Sequence, residues 1–352
     1  MAIIDKPSDY FRCKLYSGNN NTQNIVWDET DTNMKPDMLW IKSIAGNTVF
    51  EHVLGNVISG NQKYLVPNST AAQVSNGNVI NTFNTNGFSV GGATQVSEGG
   101  RSYASWGWKA SNTTASNTTG SINSTVSVST NSRFSVVNYT GNQTSGATVG
   151  HGLGAVPAMF MVKNLNDAEA WQVYHKDLTS ASYHLVLNER DAEASNTSRW
   201  NGAAPTSSVF TLGNNDTVNN VNIPYIAFCF ADSLVSKFGT YVGTGNASGP
   251  YIHLGFKPAI IMIKSRSSSS TWHLADNKRA GYNPRNYRIQ PNDANAQYTG
   301  SEINTDFLAQ GFKLRNTDTD TNGGGPTYIY LAFAENPFVT STDNNSIPTT
   351  AR

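Results

Sequence analysis

The sequence has few charged residues, almost no cysteine and no long apolar run. Charged side chains make up 14% of the 352 residues, and 24 basic and 24 acidic residues give a formal net charge of +0. A neutral balance gives no reason to expect nucleic acid or an anionic membrane surface as the main partner. No apolar run approaches the roughly 20 residues that span a membrane. We therefore expect neither nucleic-acid binding nor membrane insertion.

Cysteine and targeting signals are equally scarce. The two cysteines, Cys13 and Cys229, lie far apart in sequence, and we expect two unpaired thiols. The start, MAIIDKPSDY, lacks the basic segment and apolar run of a secretory signal. We expect a chain made in the cytosol without a signal peptide, which reaches the outside of the cell only by another route, such as lysis.

The polar character of the chain comes from Asn, Thr, Ser and Gly, with 30 glycines. These residues favour turns and strand ends and are poor helix formers. The composition is typical of an all-β protein with many loops. A chain of this length is too long for one ordinary core, and it predicts two to four domains.

Three segments of the chain repeat one pattern. KPDMLWIKS begins at Lys35, VPAMFMVKN at Val156 and KPAIIMIKS at Lys257. An aromatic residue follows the proline of each segment by 14 positions, which pairs Pro36 with Phe50, Pro157 with Trp171 and Pro258 with Trp272. Each copy opens with a tyrosine two residues before a glycine: Tyr16 and Gly18, Tyr139 and Gly141, Tyr241 and Gly243. The shared order of these features predicts three copies of one domain.

The copies divide the chain into six parts. The predicted domains are residues 11–110, 134–233 and 236–338, and the remaining parts are an N-terminal docking segment (1–10), an Asn/Ser/Thr-rich linker (111–133) and a C-terminal tail (339–352). The tract 111–133 lacks large apolar residues, so we predict an extended linker without a core of its own. Few residues separate the second copy from the third, so these two should be in contact and the first should be held more loosely.

Each copy shows strand patterns. The closing strands alternate with period two, which places Trp106, Phe228 and Phe333 on the face that fills a core. The proline-led runs are apolar on both faces, as in the middle of a sandwich. Several such strands per copy, separated by NG, GG and GN turns, predict an all-β chain of three tandem antiparallel β-sandwich (jelly-roll-like) repeats.

The segments KPSDYFRCKLYSGN, MKPDMLWIKS and YASWGWKAS resemble the start of a domain found in structural proteins of tailed phages, including marine and cyanobacterial phages. The second copy has the same features in FSVVNYTGNQTSGATVGHGLGAVPAMFMVKN, followed by WQVYHKDL. The resemblance covers nearly the whole chain. It implies a virion-associated protein of the tail-fibre or lectin-like sandwich type, and it brings no catalytic residues with it.

The positions that recur between the copies are Pro, Gly, Tyr, Phe and apolar strands. No polar residue is seen to recur in register, which indicates a shared scaffold rather than a shared reaction centre. Motifs for zinc hydrolysis, nucleotide binding or a nucleophilic serine are missing from the sequence. We therefore expect no enzymatic activity. The acidic pairs Glu189 with Asp191, and Asp232 with Glu302, leave a host-glycan hydrolase as an alternative.

The segment DTDTNGGG offers a metal-binding alternative. Asp318, Asp320 and Asn322 match the first half of a calcium loop, in which oxygen ligands alternate and a glycine makes the turn. The position of the bidentate glutamate holds Ile329 instead, and a hairpin tip rich in Asp, Asn and Gly explains the segment without metal. We expect no cofactor, with calcium at Asp318, Asp320 and Asn322 as the alternative.

Six residues in loop-like segments are candidate contacts to a ligand. Aromatic rings stack on sugars, and guanidinium groups donate hydrogen bonds to polar or acidic glycans. The candidates are Tyr282, Arg285, Tyr287 and Arg288 in the loop AGYNPRNYRIQPND, together with Tyr251 and Trp200. The alternative interpretation is that these side chains pack beneath their loops.

These observations together predict a phage virion structural protein. The first interpretation is a tail fibre or appendage that contributes to host-surface attachment through weak multivalent contacts. The alternatives are a capsid decoration or connector protein with a purely structural role, and the glycan hydrolase. The expected partners are other virion proteins, copies of the chain itself in a homo-oligomer, and a host-surface glycan. The apolar run Ala2–Ile4 predicts that residues 1–10 dock onto another virion protein or another copy.

Overall fold

The computed structural model describes residues 6–29, 32–45, 49–334, 339–342 and 345–348. The protein is all-β with antiparallel sheets, as the composition predicts. The described helices are short: α1 (Thr94–Ser97), α2 (Thr197–Trp200), α3 (Asp216–Asn219) and two 3-10 turns, Pro7–Asp9 and Ser301–Ile303. None of them is long and apolar enough to span a membrane. The run Ala2–Ile4, on which the docking prediction depends, lies outside the described residues.

Within the described residues, thirty strands form the sheets. The first part of the chain contains β1 (Phe11–Ser17), β2 (Gln23–Val26), β3 (Met38–Ser43), β4 (Val53–Asn56), β5 (Lys63–Tyr64), β6 (Val74–Ser75), β7 (Ile80–Asn84), β8 (Gly87–Val90), β9 (Ser102–Trp108), β10 (Ala115–Asn117) and β11 (Ser124–Ser129). The middle contains β12 (Phe134–Thr140), β13 (Thr148–Gly150), β14 (Met159–Asn164), β15 (Gln172–His175), β16 (Tyr183–Val186), β17 (Ala194–Ser195), β18 (Val209–Thr211) and β19 (Pro224–Phe230).

The last part contains β20 (Ser236–Val242), β21 (Tyr251–His253), β22 (Pro258–Ser265), β23 (His273–Asp276), β24 (Tyr287–Arg288), β25 (Tyr298–Thr299), β26 (Thr305–Leu308), β27 (Gly311–Leu314), β28 (Thr327–Ala334), β29 (Val339–Thr342) and β30 (Asn345–Pro348). Strands β29 and β30 pair as a hairpin within residues 339–352. The predicted C-terminal tail, 339–352, thus contains a two-stranded hairpin.

One order of strands occurs three times. The first main sheet is β1-β9-β3-β4, the second contains β12-β19-β14-β15, and the third is β20-β28-β22-β23. In each of them the strand that begins the segment pairs with the strand that ends it, and the proline-led strand pairs with that closing strand. A smaller sheet accompanies each main sheet: β2-β8-β7, β13-β18 and β21-β27-β26.

The three main sheets share one hydrophobic core. Their inner faces contribute side chains to a single buried cluster that includes Trp106, Phe228 and Phe333, which are 0%, 0% and 3% exposed. The prediction that these three residues are buried is confirmed. Because the first main sheet supplies part of this core, the expectation that the first copy is held more loosely than the others is wrong.

The outer face of each main sheet packs against its smaller sheet. Leu39 and Ile41 of β3 cluster with Phe88 and Val90 of β8. The second and third main sheets form corresponding outer clusters, in which Phe210 and Phe312 of the smaller sheets are fully buried. The proline-led strands are thus covered on both faces, which explains why they are apolar on both faces.

The Asn/Ser/Thr-rich tract is part of a sheet. Strands β10 and β11 extend the second main sheet through β12, and Ile122 and Val126 are buried in its outer cluster. The Ser127 hydroxyl donates to the Asp37 carboxylate at 2.6 Å, which connects the tract to the first main sheet. The predicted extended linker is therefore wrong: small β-compatible side chains sufficed for strand pairing because β12 offered an unpaired edge.

The pairing of the main sheets corrects one equivalence. Val53 follows its partner Ile41 by twelve positions in the chain. Gln172 follows its partner Val162, and His273 its partner Ile263, by only ten. The turn after β3 is therefore two residues longer than its counterparts. His52, and not Phe50, occupies the position of Trp171 and Trp272.

Candidate functional site

One polar residue does recur in register, and the sequence interpretation missed it. Lys42, Lys163 and Lys264 are each the second-to-last residue of the proline-led strand, and all three are fully buried. Each ammonium donates to the backbone carbonyl of the next residue, at 3.1, 2.9 and 2.7 Å. The lysine appeared in all three quoted segments, so its recurrence could have been recognised.

Burial lowers the pKa of each of these lysines to about 8. Nearby acidic residues oppose the shift; for Lys163 these are Glu169 and Asp167, and the Asp167 backbone carbonyl also accepts from the Lys163 amine at 3.4 Å. The Lys42 amine also donates to the Phe50 carbonyl at 2.9 Å, and that of Lys264 to the Ser270 hydroxyl at 3.3 Å. The recurring amine therefore holds the turn that follows its strand, which is a structural role.

The buried lysines predict that stability rises with pH. Their pKa is about 8 in the folded chain and about 10.4 in the unfolded chain. Between these pH values the unfolded chain binds more protons than the folded chain, so the free energy of unfolding increases as the pH rises. We expect the urea midpoint of unfolding to increase from about pH 7 to about pH 8.5, before unfolded thiols and tyrosines, whose ordinary pKa values are about 8.5 and 10, ionise enough to oppose the effect. Lys264→Met should show a smaller increase. A midpoint that is flat or falling in both proteins would contradict this assignment.

A stacked tyrosine pair also recurs in each main sheet. The pairs Tyr16–Tyr103, Tyr139–Tyr225 and Tyr241–Tyr328 all have ring centroids 5.2 Å apart and nearly parallel planes. The hydroxyls of the second members each accept a backbone N–H, from Glu98, Asn220 and Gly323 respectively. Burial raises the pKa of all six phenols, so they act here as neutral hydrogen-bonding groups.

Asn322 belongs to this recurring structure. Its side-chain oxygen accepts the Thr244 N–H at 2.8 Å, and the oxygen of Asn219 accepts the Asn142 N–H at 2.9 Å in the second main sheet's segment. The amide nitrogens of both asparagines donate to backbone carbonyls, and both side chains are fully buried. Asn322 thus fastens a turn that also occurs where the sequence shows no calcium motif.

Asp318 and Asp320 hold an arginine. The Arg288 guanidinium lies 2.9 and 3.0 Å from their carboxylates, and Asp320 also accepts bonds from the N–H and hydroxyl of Thr271. Burial raises the pKa of Asp318, and Arg288 opposes this shift. Within the described residues no group of three or more His, Cys, Asp or Glu side chains is arranged to hold a metal ion. The segment DTDTNGGG is a loop that connects β27 of the smaller sheet to β28 of the main sheet and binds Arg288, so the hairpin expected from the sequence is wrong. Calcium binding stays the untested alternative.

The six candidate ligand contacts divide into exposed and buried residues. Tyr282 is 82% exposed and Tyr251 is 47% exposed, whereas Tyr287 is half-buried. Arg285 and Arg288 are buried. Arg285 donates to the carbonyls of Asn277 and Ala280 and stacks over the Phe307 ring, with 4.6 Å to its centroid.

Trp200 is the sixth candidate, and it is fully buried. It ends α2 and meets the Phe160 ring edge-on at 4.8 Å. Its indole cannot stack on a sugar from solvent, so the prediction that it is an exposed contact is wrong. The amphipathic ring packs beneath its loop, which is the alternative that the sequence left open.

A surface groove adjoins the most exposed tyrosine. Asn283, which follows Tyr282, lines a groove of about 420 Å³ together with Pro284, Asn304, Asp306 and Arg315. Arg315 lies 3.2 Å from Asp306 and its side chain is 50% exposed. Its lining combines a carboxylate, a guanidinium and two amides, and Tyr282 precedes one of the lining residues in the chain. The groove thus offers partly exposed hydrogen-bond donors, which the buried Arg285 and Arg288 do not.

A second groove, of about 520 Å³, lies between the first main sheet and the β11–β12 turn. Its lining is mostly polar and includes Asp9, Tyr10, Asn33, Lys109 and Asn131. The Asn131 amide donates to the Tyr10 hydroxyl at 3.3 Å across the groove. Val128 and Ser129 of β11 also line this groove.

The acidic pairs considered for hydrolysis are spread over the molecule. Asp232 accepts the Phe238 N–H at 2.8 Å, whereas Glu302 is fully exposed and accepts the Tyr298 hydroxyl. Burial and the charge of Asp191 raise the pKa of Glu189, but both residues lie on the surface. Cys13 and Cys229 are free and buried, as predicted, and burial raises the pKa of both thiols.

The comparisons with known proteins identify a family. A family model described as a domain of unknown function, DUF7483, matches residues 6–337. The chain belongs to the DUF7483 family. Comparison with curated proteins found no match, and comparison with solved structures found none. The family model spans all three main sheets, so the unit that defines the family is the complete arrangement rather than one third of it.

Proposed function

We propose that residues 11–110, 134–233 and 236–338 are three copies of one jelly-roll-like β-sandwich that close around a common core. The repeated strand order, the three stacked tyrosine pairs and the three buried lysines support this proposal. These features involve different residue types at corresponding places. Shared ancestry by duplication explains their coincidence more simply than three independent origins.

We propose further that the chain is a structural protein of tailed-phage virions, present in a tail fibre or appendage that contributes to contact with the host surface. The observation that carries this proposal is the internal use of the recurring polar groups. In all three segments the lysine amine and the tyrosine hydroxyl bind backbone groups of the same fold. The polar groups that the copies have in common therefore stabilise the fold itself, as expected of a rigid scaffold that carries loops.

The host contact is proposed at the exposed rings and the groove beside them. Tyr282 and Tyr251 are exposed to solvent, and Asp306 and Arg315 supply polar groups in the groove that Asn283, the residue after Tyr282, also lines. Individual contacts of this kind are weak, and display of several copies on one particle would increase the overall affinity. Proposed partners are other virion proteins, further copies of the chain and a host-surface glycan. We propose no catalytic role and no cofactor.

One observation favours the alternative of a capsid decoration or connector protein. Arg285, Arg288 and Trp200 are buried, and their guanidinium and indole groups contact other residues of the fold. Half of the residues expected to contact a ligand thus stabilise the scaffold instead. A purely structural role in the particle would need none of them at the surface.

The proposal is tested on particles of a tailed phage that encodes this chain. We expect mass spectrometry to detect the chain in purified particles and gold-labelled antibodies to mark an appendage. Particles carrying both Tyr282→Ala and Tyr251→Ala should adsorb to host cells several-fold more slowly than particles carrying Val242→Ala. Val242 is the matched control because it is 57% exposed and lies in β20.

The outcomes separate the alternatives. Particles that lack the chain would overturn the virion assignment. Label on the capsid, or normal adsorption by correctly assembled tyrosine variants, would favour the structural alternative over host contact. Release of sugars from host polysaccharide by the purified chain would instead support the hydrolase.

A further inference from the structure

Corresponding tryptophans fasten neighbouring main sheets to each other. The Trp171 indole N–H, at the start of β15, donates to the Val66 carbonyl in the first segment at 3.0 Å. The Trp272 indole N–H, before β23, donates to the Val186 carbonyl in the second segment at 3.0 Å. Both tryptophans are fully or almost fully buried. Each contact ties one main sheet to the segment that precedes it in the chain.

A histidine makes the third contact of this series. His52 stands at the tryptophan position of the first main sheet, and its Nε2 lies 3.1 Å from the carbonyls of both Gln290 and Asp293 in the third segment. The Lys42 amine adds a bond to the Ala294 carbonyl at 2.9 Å. We call the attachment of residues 290–294 to the first main sheet the closing contact, because it completes the ring of three.

The hydrogen bonds of His52 fix its protonation state. The Trp40 indole N–H, which can only donate, is directed at His52 Nδ1 at 2.8 Å. Nδ1 must therefore be the unprotonated nitrogen, and Nε2 carries the hydrogen that the two carbonyls accept. Protonation would place a second N–H on Nδ1, facing the Trp40 N–H. The neutral ring satisfies every partner in this buried site, whereas the imidazolium cannot.

The surroundings of His52 do not compensate a positive charge. Its ring is completely buried, and the positive charge of the Lys42 ammonium on β3 opposes its protonation. The hydrogen bonds of that ammonium go to backbone carbonyls. Glu51, which precedes His52, and Asp293, in the 290–294 loop, favour the charge of Lys42, while Arg101 opposes it. Burial first and Lys42 second hold the pKa of His52 well below its usual range.

We propose that the closing contact is a pH-sensitive latch, in which protonation of His52 releases residues 290–294 from the first main sheet. Residues 111–133 tie the first main sheet to the second, and residues 231–235 tie the second to the third. The closing contact has no such covalent bridge among the described residues. The stacking of Phe11 on Phe333 and the ion pair of Lys278 with Asp28 also join the first and third segments, so the release is local to residues 290–294 and leaves the common core closed.

The sign of the effect follows from the histidine. A buried ring that stays neutral when folded stabilises the closed form fully above the ordinary histidine pKa of about 6.5. That stabilisation is lost as the pH falls below this value, because the open form binds the proton more readily. Trp171 and Trp272 do not titrate, but Val186, which accepts from Trp272, lies two residues from His184, whose pKa burial lowers to about 4. The Trp171 contact at Val66 is therefore the one that should be insensitive over the same range.

Hydrogen–deuterium exchange of the full chain tests the latch. Exchange of residues 289–295, corrected for intrinsic rates, should become about tenfold faster or more on going from pH 7 to about pH 5. Below the pKa of the released histidine, each pH unit changes the opening equilibrium by a factor of about ten. The corresponding residues 65–67, bound by Trp171, serve as the internal reference and should change far less. Unchanged exchange at 289–295, or equal acceleration of both segments, would overturn the proposal.

Two variants separate His52 from other buried histidines. In His52→Gln, the amide can accept from Trp40 and donate to Gln290 without titrating, and we expect the acid response of residues 289–295 to disappear. His175→Gln is the matched control, because the His175 ring is equally buried and contacts the Tyr330 carbonyl at 3.4 Å between the second and third main sheets. This control should keep the response. The reverse pattern would assign the response to His175, and the comparison within the wild-type chain remains decisive if either variant fails to fold.

Discussion

Replacing Phe228 with alanine is expected to lower the free energy of unfolding by about 3–5 kcal/mol, the usual range for emptying a buried phenylalanine site. Phe228 is fully buried in the core common to all three main sheets. Its ring stacks on Trp171, 6.3 Å between centroids, and its strand neighbours are Val136 and Met161. Both flanking strands hold the site open, so the cavity cannot collapse without breaking the sheet.

Denaturant unfolding of the two proteins at one pH measures this loss. Phe228→Leu is the matched control, since a leucine keeps most of the volume and should cost less than about 1.5 kcal/mol. A loss below roughly 1 kcal/mol for the alanine variant would mean that the inner face of β19 contributes little to stability. The description of the common core would then be incorrect.

Replacing Gly141 with alanine should cost about 1–3 kcal/mol, in the range of other overpacking substitutions. A Cβ at this position would lie 2.3 Å from the Asn220 carbonyl oxygen. Hydrogen bonds fix the approach, because the Gly141 N–H donates to the Ile223 carbonyl and the Asn222 N–H donates to the Gly141 carbonyl, both at 2.9 Å. The backbone cannot move apart without losing these bonds.

Gly281→Ala is the control for this prediction, because an added Cβ there meets nothing within 4 Å. Thermal unfolding should place the control close to the wild type and Gly141→Ala several degrees lower. A Cβ added at Gly18 or Gly243 would likewise lie 2.1 or 2.2 Å from the carbonyl oxygen of Glu98 or Gly323, respectively. If Gly141→Ala were as stable as Gly281→Ala, the tyrosine-glycine opening would not have the packing role that its recurrence indicates.

The sequence predicted the all-β class and the face of the closing strand that fills the core. Period-two alternation is a local property, so Trp106, Phe228 and Phe333 could be placed from neighbouring residues alone. The common core could not be predicted in this way. It depends on how whole sheets face one another, and a strand apolar on both faces looks the same whether its second layer belongs to its own segment or to another.

The errors have physical causes at particular residues. The constant interval of 14 positions after the proline assigned Phe50 to the position of Trp171 and Trp272. The turn after β3 is two residues longer than its counterparts, so His52 occupies that position, which only the pairing of β3 with β4 reveals. The tract 111–133 lacks large side chains, which predicts an extended linker, yet its strand β11 pairs with the edge of β12. Arg285 and Arg288 seemed exposed because charged residues in loops usually are, but nearby carbonyls and carboxylates bind both of them.

Calorimetric unfolding of the intact chain tests the central claim, that three main sheets form one cooperative body around a shared core. We predict a single heat-absorption peak whose calorimetric and van't Hoff enthalpies agree, as for a two-state unit. Phe228→Ala, although it changes only the second main sheet, should move this whole peak to lower temperature. Two or three separate peaks, with only one of them moved by Phe228→Ala, would show independent domains and contradict the claim.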